Sequence, residues 1–232
     1  MRIKIFADGA DLASMKAAHA SGRVQGFTTN PTLMRQAGVT DYQVFAREVL
    51  KEIRDLPVSF EVFADDFEAM GEQARLISSW GDNVYVKIPV TNTLGQSSAD
   101  LVRELSASGV KVNVTALLTL EQVDAIAEAL HPTTPAVVSV FAGRIADTGM
   151  DPAPIMSLAL ERLHGRPMAE LLWASPREVL NIYQAAEIGC HIITVSPDLL
   201  AKLALKGKDL AVYSLETVAM FRRDAIQAGY SL

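Results

Sequence analysis

Val84-Tyr85-Val86-Lys87-Ile88-Pro89-Val90 decides how the rest of the chain is read. β-Branched and aromatic residues dominate the stretch and its side chains alternate between two faces, so it reads as a β-strand. Val84, Val86, Ile88 and Val90 share one face, and Tyr85, Lys87 and Pro89 share the other. One meaning of a lysine on so apolar a strand is an edge charge that blocks aggregation. The other is an amine held in a desolvated pocket as a carbonyl nucleophile. The remaining strands decide between them.

Outward from this stretch, strand-like and helical segments alternate. Ile3–Asp8, Val24–Thr29 and Pro57–Phe63 read as strands before it, and Val110–Thr115, Ala136–Val140, Leu171–Ala174 and Ile192–Val195 after it. Between them lie helical patterns over Asp11–Ala20, Tyr42–Arg54, Asp66–Ser79, Ser98–Ser108, Leu120–Leu130, Pro154–Leu163, Pro176–Ile188 and Pro197–Leu205. Asn30-Pro31 opens a further helix, with Asn as cap and Pro at its first position. A glycine-containing loop is expected after the sixth strand. Strands that alternate with helices run parallel through right-handed crossovers. Eight such units are the count that closes an α/β (β/α)8 TIM barrel. An open doubly wound sheet is the alternative, but the first strand lacks a G-x-G-x-x-G turn. We expect a single barrel domain over residues 1–232. An additional C-terminal helix over Tyr213–Ala228 either covers the barrel or reaches a neighbouring subunit.

Composition narrows the function classes. A formal charge of −6 over 232 residues argues against a nucleic-acid surface. No apolar run is long enough to span a membrane, and the N-terminus enters a strand without a signal peptide. One cysteine, Cys190, permits no internal disulfide and fits a reducing cytoplasm. It reads as a small buried hydrophobe. The four histidines are scattered, with no metal-ligand spacing, so neither metal nor cofactor is implied.

Strand parity gives the site. If the aliphatic face of each strand meets the helices, the other points into the barrel. Asp8, Glu61, Lys87, Asn113, Thr115 and Ser139 then share one interior, most of them near strand C-terminal ends, where barrel active sites lie. Burying so many polar groups is costly unless they bond one another and do chemistry. The nucleophilic reading of Lys87 therefore gains. A neutral amine condenses with a ketone to an iminium ion that accepts electrons from an adjacent breaking carbon–carbon bond. Asp8 and Glu61 suit the accompanying acid and base steps. Asn30, Asn113, Thr115 and Ser139 suit a polyol, although Asn30 is equally a helix cap. Arg144, Ser175 and Arg177 follow the sixth and seventh strands. Together with a helix N-terminus expected after Ser175 they suggest an anion site. Taken singly, Ser175 reads as an N-cap and each arginine as a surface ion pair.

At this point the chain resembles the transaldolases, particularly the short single-domain ones, over about residues 3–205. The resemblance rests on five stretches in order. They are Gly26-Phe27-Thr28-Thr29-Asn30-Pro31-Thr32, Val86-Lys87-Ile88-Pro89, Val112-Asn113-Val114-Thr115, Phe141-Ala142-Gly143-Arg144-Ile145 and Ala174-Ser175-Pro176-Arg177. It implies that Lys87 forms the Schiff base, that Asp8 accepts the proton in carbon–carbon cleavage, and that Glu61 works with Thr115 through a water. It also implies that Thr28, Asn30, Asn113, Ser139 and Phe141 line the site of a dihydroxyacetone unit, and that Arg144, Ser175 and Arg177 bind a phosphate. A cytoplasmic homo-oligomer acting on sugar phosphates in pentose phosphate metabolism follows from the same resemblance.

The similar fructose-6-phosphate aldolases, which release dihydroxyacetone, carry Gln and Tyr where this chain has Glu61 and Phe141. The resemblance thus favours transfer over release. The loop Thr91-Asn92-Thr93-Leu94-Gly95 lacks a Glu-Gly pair expected there, and Trp173 and Pro176 are unusual. These departures leave the terminal group open between phosphate and another anion such as a sulfonate. A non-catalytic sugar-phosphate-binding barrel is the reading from another class, but it has no need of Lys87, Asp8 and Glu61 together. Deoxyribose-phosphate aldolases place their lysine on the sixth strand, where this chain has Ser139.

Overall fold

A computed structural model describes residues 3–231. Eight parallel strands close into a barrel in chain order: β1 (Lys4–Asp8), β2 (Gly26–Thr28), β3 (Val58–Glu61), β4 (Val84–Pro89), β5 (Val112–Leu117), β6 (Ala136–Val140), β7 (Ala169–Trp173) and β8 (Ile192–Val195). Closure comes from β8 pairing with β1. The connecting helices are α1 (Leu12–Ala20), α2 (Pro31–Gln36), α3 (Tyr42–Glu52), α4 (Phe67–Ser78), α5 (Ala99–Ala107), α6 (Leu120–Ala129), α7 (Ala142–Asp147), α8 (Pro152–Arg162), α9 (Leu180–Glu187) and α10 (Pro197–Lys202). The (β/α)8 architecture expected from the alternation is the one that forms. Residues up to Leu200 make one compact unit, and the chain from Ala201 makes a second that carries α11 (Leu210–Gln227). No described helix is long and apolar enough to cross a membrane.

Local chemistry sets the helix starts. Asp11, Asn30, Asp41, Asp66, Asp151 and Asp209 each accept a backbone N–H of the first turn, and Thr119 with Gln122 forms a reciprocal box. The outward faces of the strands, including Val58, Phe60, Val86, Ile88, Val112, Val114, Val138 and Val140, are buried against the helices. Inside the barrel, Phe6, Val137, Leu172, Ala174 and Ile192 form an apolar plug, and Leu172 and Ala174 reach the cavity that the polar residues line. Gly26 faces Phe6 across the β1–β2 ladder, and a β-carbon there would stand 2.5 Å from the phenyl ring. The ring fills the space that the glycine leaves.

Three segments differ from expectation. The loop expected after β6 is the helix α7, in which Ala142, Gly143 and Ile145 are buried, so packing rather than propensity forms it. Conversely, the helix expected from Pro176 begins only at Leu180. Proline disfavours the helical region for the residue before it, and Ser175 adopts φ +57°. The amides of Arg177 and Glu178 are taken by the Asn181 side chain instead, at 2.7 and 3.1 Å. Finally, β5 continues to Leu117 through Ala116 at φ +66°, with a shift of register against β6.

Candidate active site

The polar mouth of the barrel holds a cavity of about 460 Å³. The ladder register sets Glu61, Lys87 and Asn113 opposite one another on β3, β4 and β5, so their side chains emerge in one row. Lys87 is 7% exposed. Its Nζ donates to the Thr29 carbonyl at 2.9 Å and lies 3.3 Å from Glu61 Oε2. To one side, Ser139 Oγ donates to Asn113 Oδ1 at 2.7 Å, and Asn113 Nδ2 donates to Ser59 Oγ at 3.0 Å. To the other, the Thr28 hydroxyl donates to Asp8 Oδ1 at 2.9 Å and also bonds Thr194. With its one proton directed to Asp8, Thr28 accepts from Thr194.

The remaining expected residues divide. Asn30 Oδ1 accepts the Leu33 N–H at 2.9 Å while the residue lines the cavity, so it is both a cap and a site residue. The buried Thr115 hydroxyl has no bonding partner among the described residues and also lines the cavity. Phe141, Arg144 and Ser175 form the far wall, with the Arg144 guanidinium 5.5 Å from the Phe141 ring centroid.

Arg177 is not brought to this wall. Its guanidinium pairs with both carboxylate oxygens of Asp147 and donates to the Gly143 carbonyl at 3.3 Å. It therefore clasps α7, the helix that carries Arg144. The expected helix N-terminus is likewise missing at Ser175, because that residue is left-handed and the helix begins only at Leu180. Gly143 and Ser175 interlock: a β-carbon on Gly143 would lie 1.5 Å from the Ser175 carbonyl oxygen.

Parity could have found Thr194, since it alternates with Ile193 and Val195 on β8 and faces the same interior as Ser139. Ser59, which parity puts on the inward face of β3 with Glu61, is found there bonded to Asn113. Gln36 and Leu33, which line the cavity from α2, carried no such signal. Burial pushes the Cys190 thiol up to about 12, which leaves it a small hydrophobe and no nucleophile.

The profile of the transaldolase/fructose-6-phosphate aldolase family matches residues 5–231. The chain belongs to that family. It is an enzyme of the Schiff-base-forming transaldolase type. Two relatives named "Probable transaldolase", from Streptococcus pyogenes serotype M5 (strain Manfredo) and serotype M1, are 37% identical over 202 residues, covering 87% of this chain and 90% of theirs. Among solved structures, 3-hexulose-6-phosphate synthase from Salmonella typhimurium superposes with a TM-score of 0.56 at 16% identity, covering 84% of this chain and 89% of that one. The 3-keto-L-gulonate-6-phosphate decarboxylase of Vibrio cholerae O1 biovar El Tor gives 0.56 at 12% identity, covering 84% and 87%. These two share the barrel.

In this transaldolase-family barrel the Asp8 carboxyl is perturbed. Burial pushes the Asp8 carboxyl above the ordinary carboxylate range, opposed by the Lys87 charge and the Thr28 hydroxyl and reinforced by Glu61. A raised value makes the ionised form a stronger proton acceptor. It also has a sign in stability. Between the unfolded value, about 3.9, and the raised folded one, the native state binds more protons than the unfolded chain, so stability falls as pH rises through that window. Asp8→Asn keeps an oxygen for Thr28 and removes the partly buried charge. We therefore expect its melting temperature to exceed that of the parent at pH 7, with the gain vanishing at acid pH where Asp8 is protonated in both states. Differential scanning calorimetry at the two pH values checks this. A gain that persists or grows in acid would contradict it.

Proposed function

We propose that the protein transfers a dihydroxyacetone unit from a ketose phosphate, such as fructose 6-phosphate, to an aldose phosphate through a Schiff base on Lys87. The observation that carries this reading is a buried amine 3.3 Å from the Glu61 carboxylate, in a cavity that Asp8 also lines. The amine adds to the ketose carbonyl, and loss of water gives an iminium ion. Asp8 takes the proton from the hydroxyl on the far carbon of the scissile bond. The carbon–carbon pair moves toward the iminium nitrogen, an aldehyde departs and an enamine stays on Lys87. That enamine attacks the acceptor aldehyde, whose oxygen regains the proton, and water then hydrolyses the new iminium. Glu61 and Thr115 manage the water that leaves and returns. Asn30, Asn113 and Ser139 hold the hydroxyls of the transferred unit, and Thr28 orients Asp8. Glu61 and Phe141 favour transfer over release, since neither supplies the Gln and the phenol of the aldolase-type relatives.

Borohydride added with fructose 6-phosphate should leave a reduced adduct on the peptide containing Lys87, and Lys87→Ala should lose both adduct and turnover. Without an acceptor aldehyde, free dihydroxyacetone should accumulate far more slowly than transfer runs with one. An adduct elsewhere would overturn the assignment of Lys87. Equal rates with and without acceptor would make the enzyme an aldolase.

Arg144, with the Ser175 hydroxyl, grips the terminal anion, while Arg177 acts behind it by clasping α7. One charge-assisted bond is worth about 1.5–3 kcal/mol, so Arg144→Ala should cost roughly ten- to hundredfold in kcat/KM on phosphorylated sugars. A neutral sugar should hardly register the change. Arg177→Ala should instead lower activity on charged and neutral sugars alike and lower the melting temperature, because it loosens the helix. If the two variants behave identically, the division of roles is wrong.

The family resemblance and the bare apolar side chains of α11 support a cytoplasmic homo-oligomer in which this helix meets a neighbouring copy. No residue of α11 is buried, and Leu215, Val218 and Phe221 lie open. Truncation after Lys208 should reduce the mass measured by light scattering. An unchanged mass, or a monomeric parent, rejects the idea.

A further inference from the structure

The β2–β3 ladder breaks at the height of Lys87. Two of its rungs run from Phe27 N–H to the Pro57 carbonyl and from Thr29 N–H to the Ser59 carbonyl. Parallel pairing carried one step further would join Glu61 N–H to the Thr29 carbonyl. That carbonyl instead accepts from Lys87 Nζ at 2.9 Å. The Glu61 carbonyl in turn would look to residue 31 for a donor, and Pro31 has no N–H. Both backbone groups of Glu61 are thus without their ladder partners on this side.

Tyr42, at the start of α3, serves them both. Glu61 N–H donates to the Tyr42 hydroxyl at 2.7 Å, and that hydroxyl donates to the Glu61 carbonyl at 2.9 Å. The ring is held edge-on to Phe63, with centroids 4.5 Å apart, and packs against Phe60 and Trp80 at 6.1 and 5.8 Å. Burial pushes the phenol above its ordinary range, so it remains a neutral donor and acceptor. Among the described residues, the Glu61 carboxylate bonds no side chain but Lys87. Its aim therefore depends on how its backbone is held.

We infer that Tyr42 is a positioning residue for the reaction: its single hydroxyl replaces the missing rung and so fixes the Glu61 carboxylate against Lys87. This rests on the reading of Lys87 and Glu61 as the reacting pair. A backbone left to drift carries the carboxylate out of line, and misplacement on the order of 1 Å can cost about a hundredfold in rate. The loss should fall on kcat, since no substrate hydroxyl or anion is bound by Tyr42.

The test is a double-mutant cycle on the full-length protein with Tyr42→Phe and Glu61→Gln. Tyr42→Phe alone should lower kcat roughly tenfold or more, about 1.4 kcal/mol by the rate–barrier relation, with KM within about twofold. In the Glu61→Gln background the same change should have almost no further effect on kcat. Borohydride should still trap Lys87 in all four proteins. An equal loss of kcat in both backgrounds, or full kcat in Tyr42→Phe with only a lower melting temperature, would overturn the proposal. Should Tyr42→Phe not fold, 4-aminophenylalanine placed at Tyr42 keeps an N–H donor and weakens the acceptor, and the same cycle is read with it. Failure of the parent reading is distinct: it is a parent protein in which Lys87 is never trapped, or in which Glu61→Gln leaves kcat intact.

Discussion

An amine buried among apolar strands has to be given oxygen atoms, and the barrel mouth is arranged around that requirement. Lys87 receives the Thr29 carbonyl and the Glu61 carboxylate. An unpaired buried charge would destabilise the fold by several kcal/mol. The carboxylate and carbonyl that offset this cost impose needs of their own. Withdrawing the Thr29 carbonyl from the ladder opens a rung, and Tyr42 closes it. Placing Glu61 beside the amine adds a negative charge near Asp8, which the Thr28 hydroxyl and the Lys87 charge hold in check. Two chains of bonded side chains result, Thr194–Thr28–Asp8 and Ser139–Asn113–Ser59, one on each flank of the amine. The apolar plug of Phe6, Val137, Leu172 and Ile192 supplies the burial that lets such a polar layer exist.

What sequence could disclose follows from how far each interaction reaches along the chain. Strand parity has a period of two and is local, so Glu61, Lys87, Asn113 and Ser139 could be put on one face from their own strands. Eight alternations likewise made the closed barrel legible. The short elements were less so. Ala142-Gly143-Arg144-Ile145 has no helical signature, because α7 exists through the burial of Ala142, Gly143 and Ile145 against distant residues. Arg177 could not be separated from Arg144 by any local rule. Its partner Asp147 lies in α7 and meets it only when β6 and β7 stand side by side. Tyr42 was equally hidden, since its helix pattern shows only an aromatic at the first position. The role proposed for it arises from a proline at position 31 and a carbonyl at position 29.

The rim that holds Arg144 is built by close backbone contact as well as by the Arg177 clasp. Ser175 takes a left-handed backbone that is uncommon for any residue but glycine, and turns its carbonyl onto the bare α-carbon of Gly143. Neither loop has room to move without the other. Gly143 after β6 and Ser175 after β7 therefore constrain each other in any redesign of this enzyme. Any side chain at position 143 meets the Ser175 carbonyl, so variation on the β6 side has to leave that α-carbon bare or move the β7 side with it.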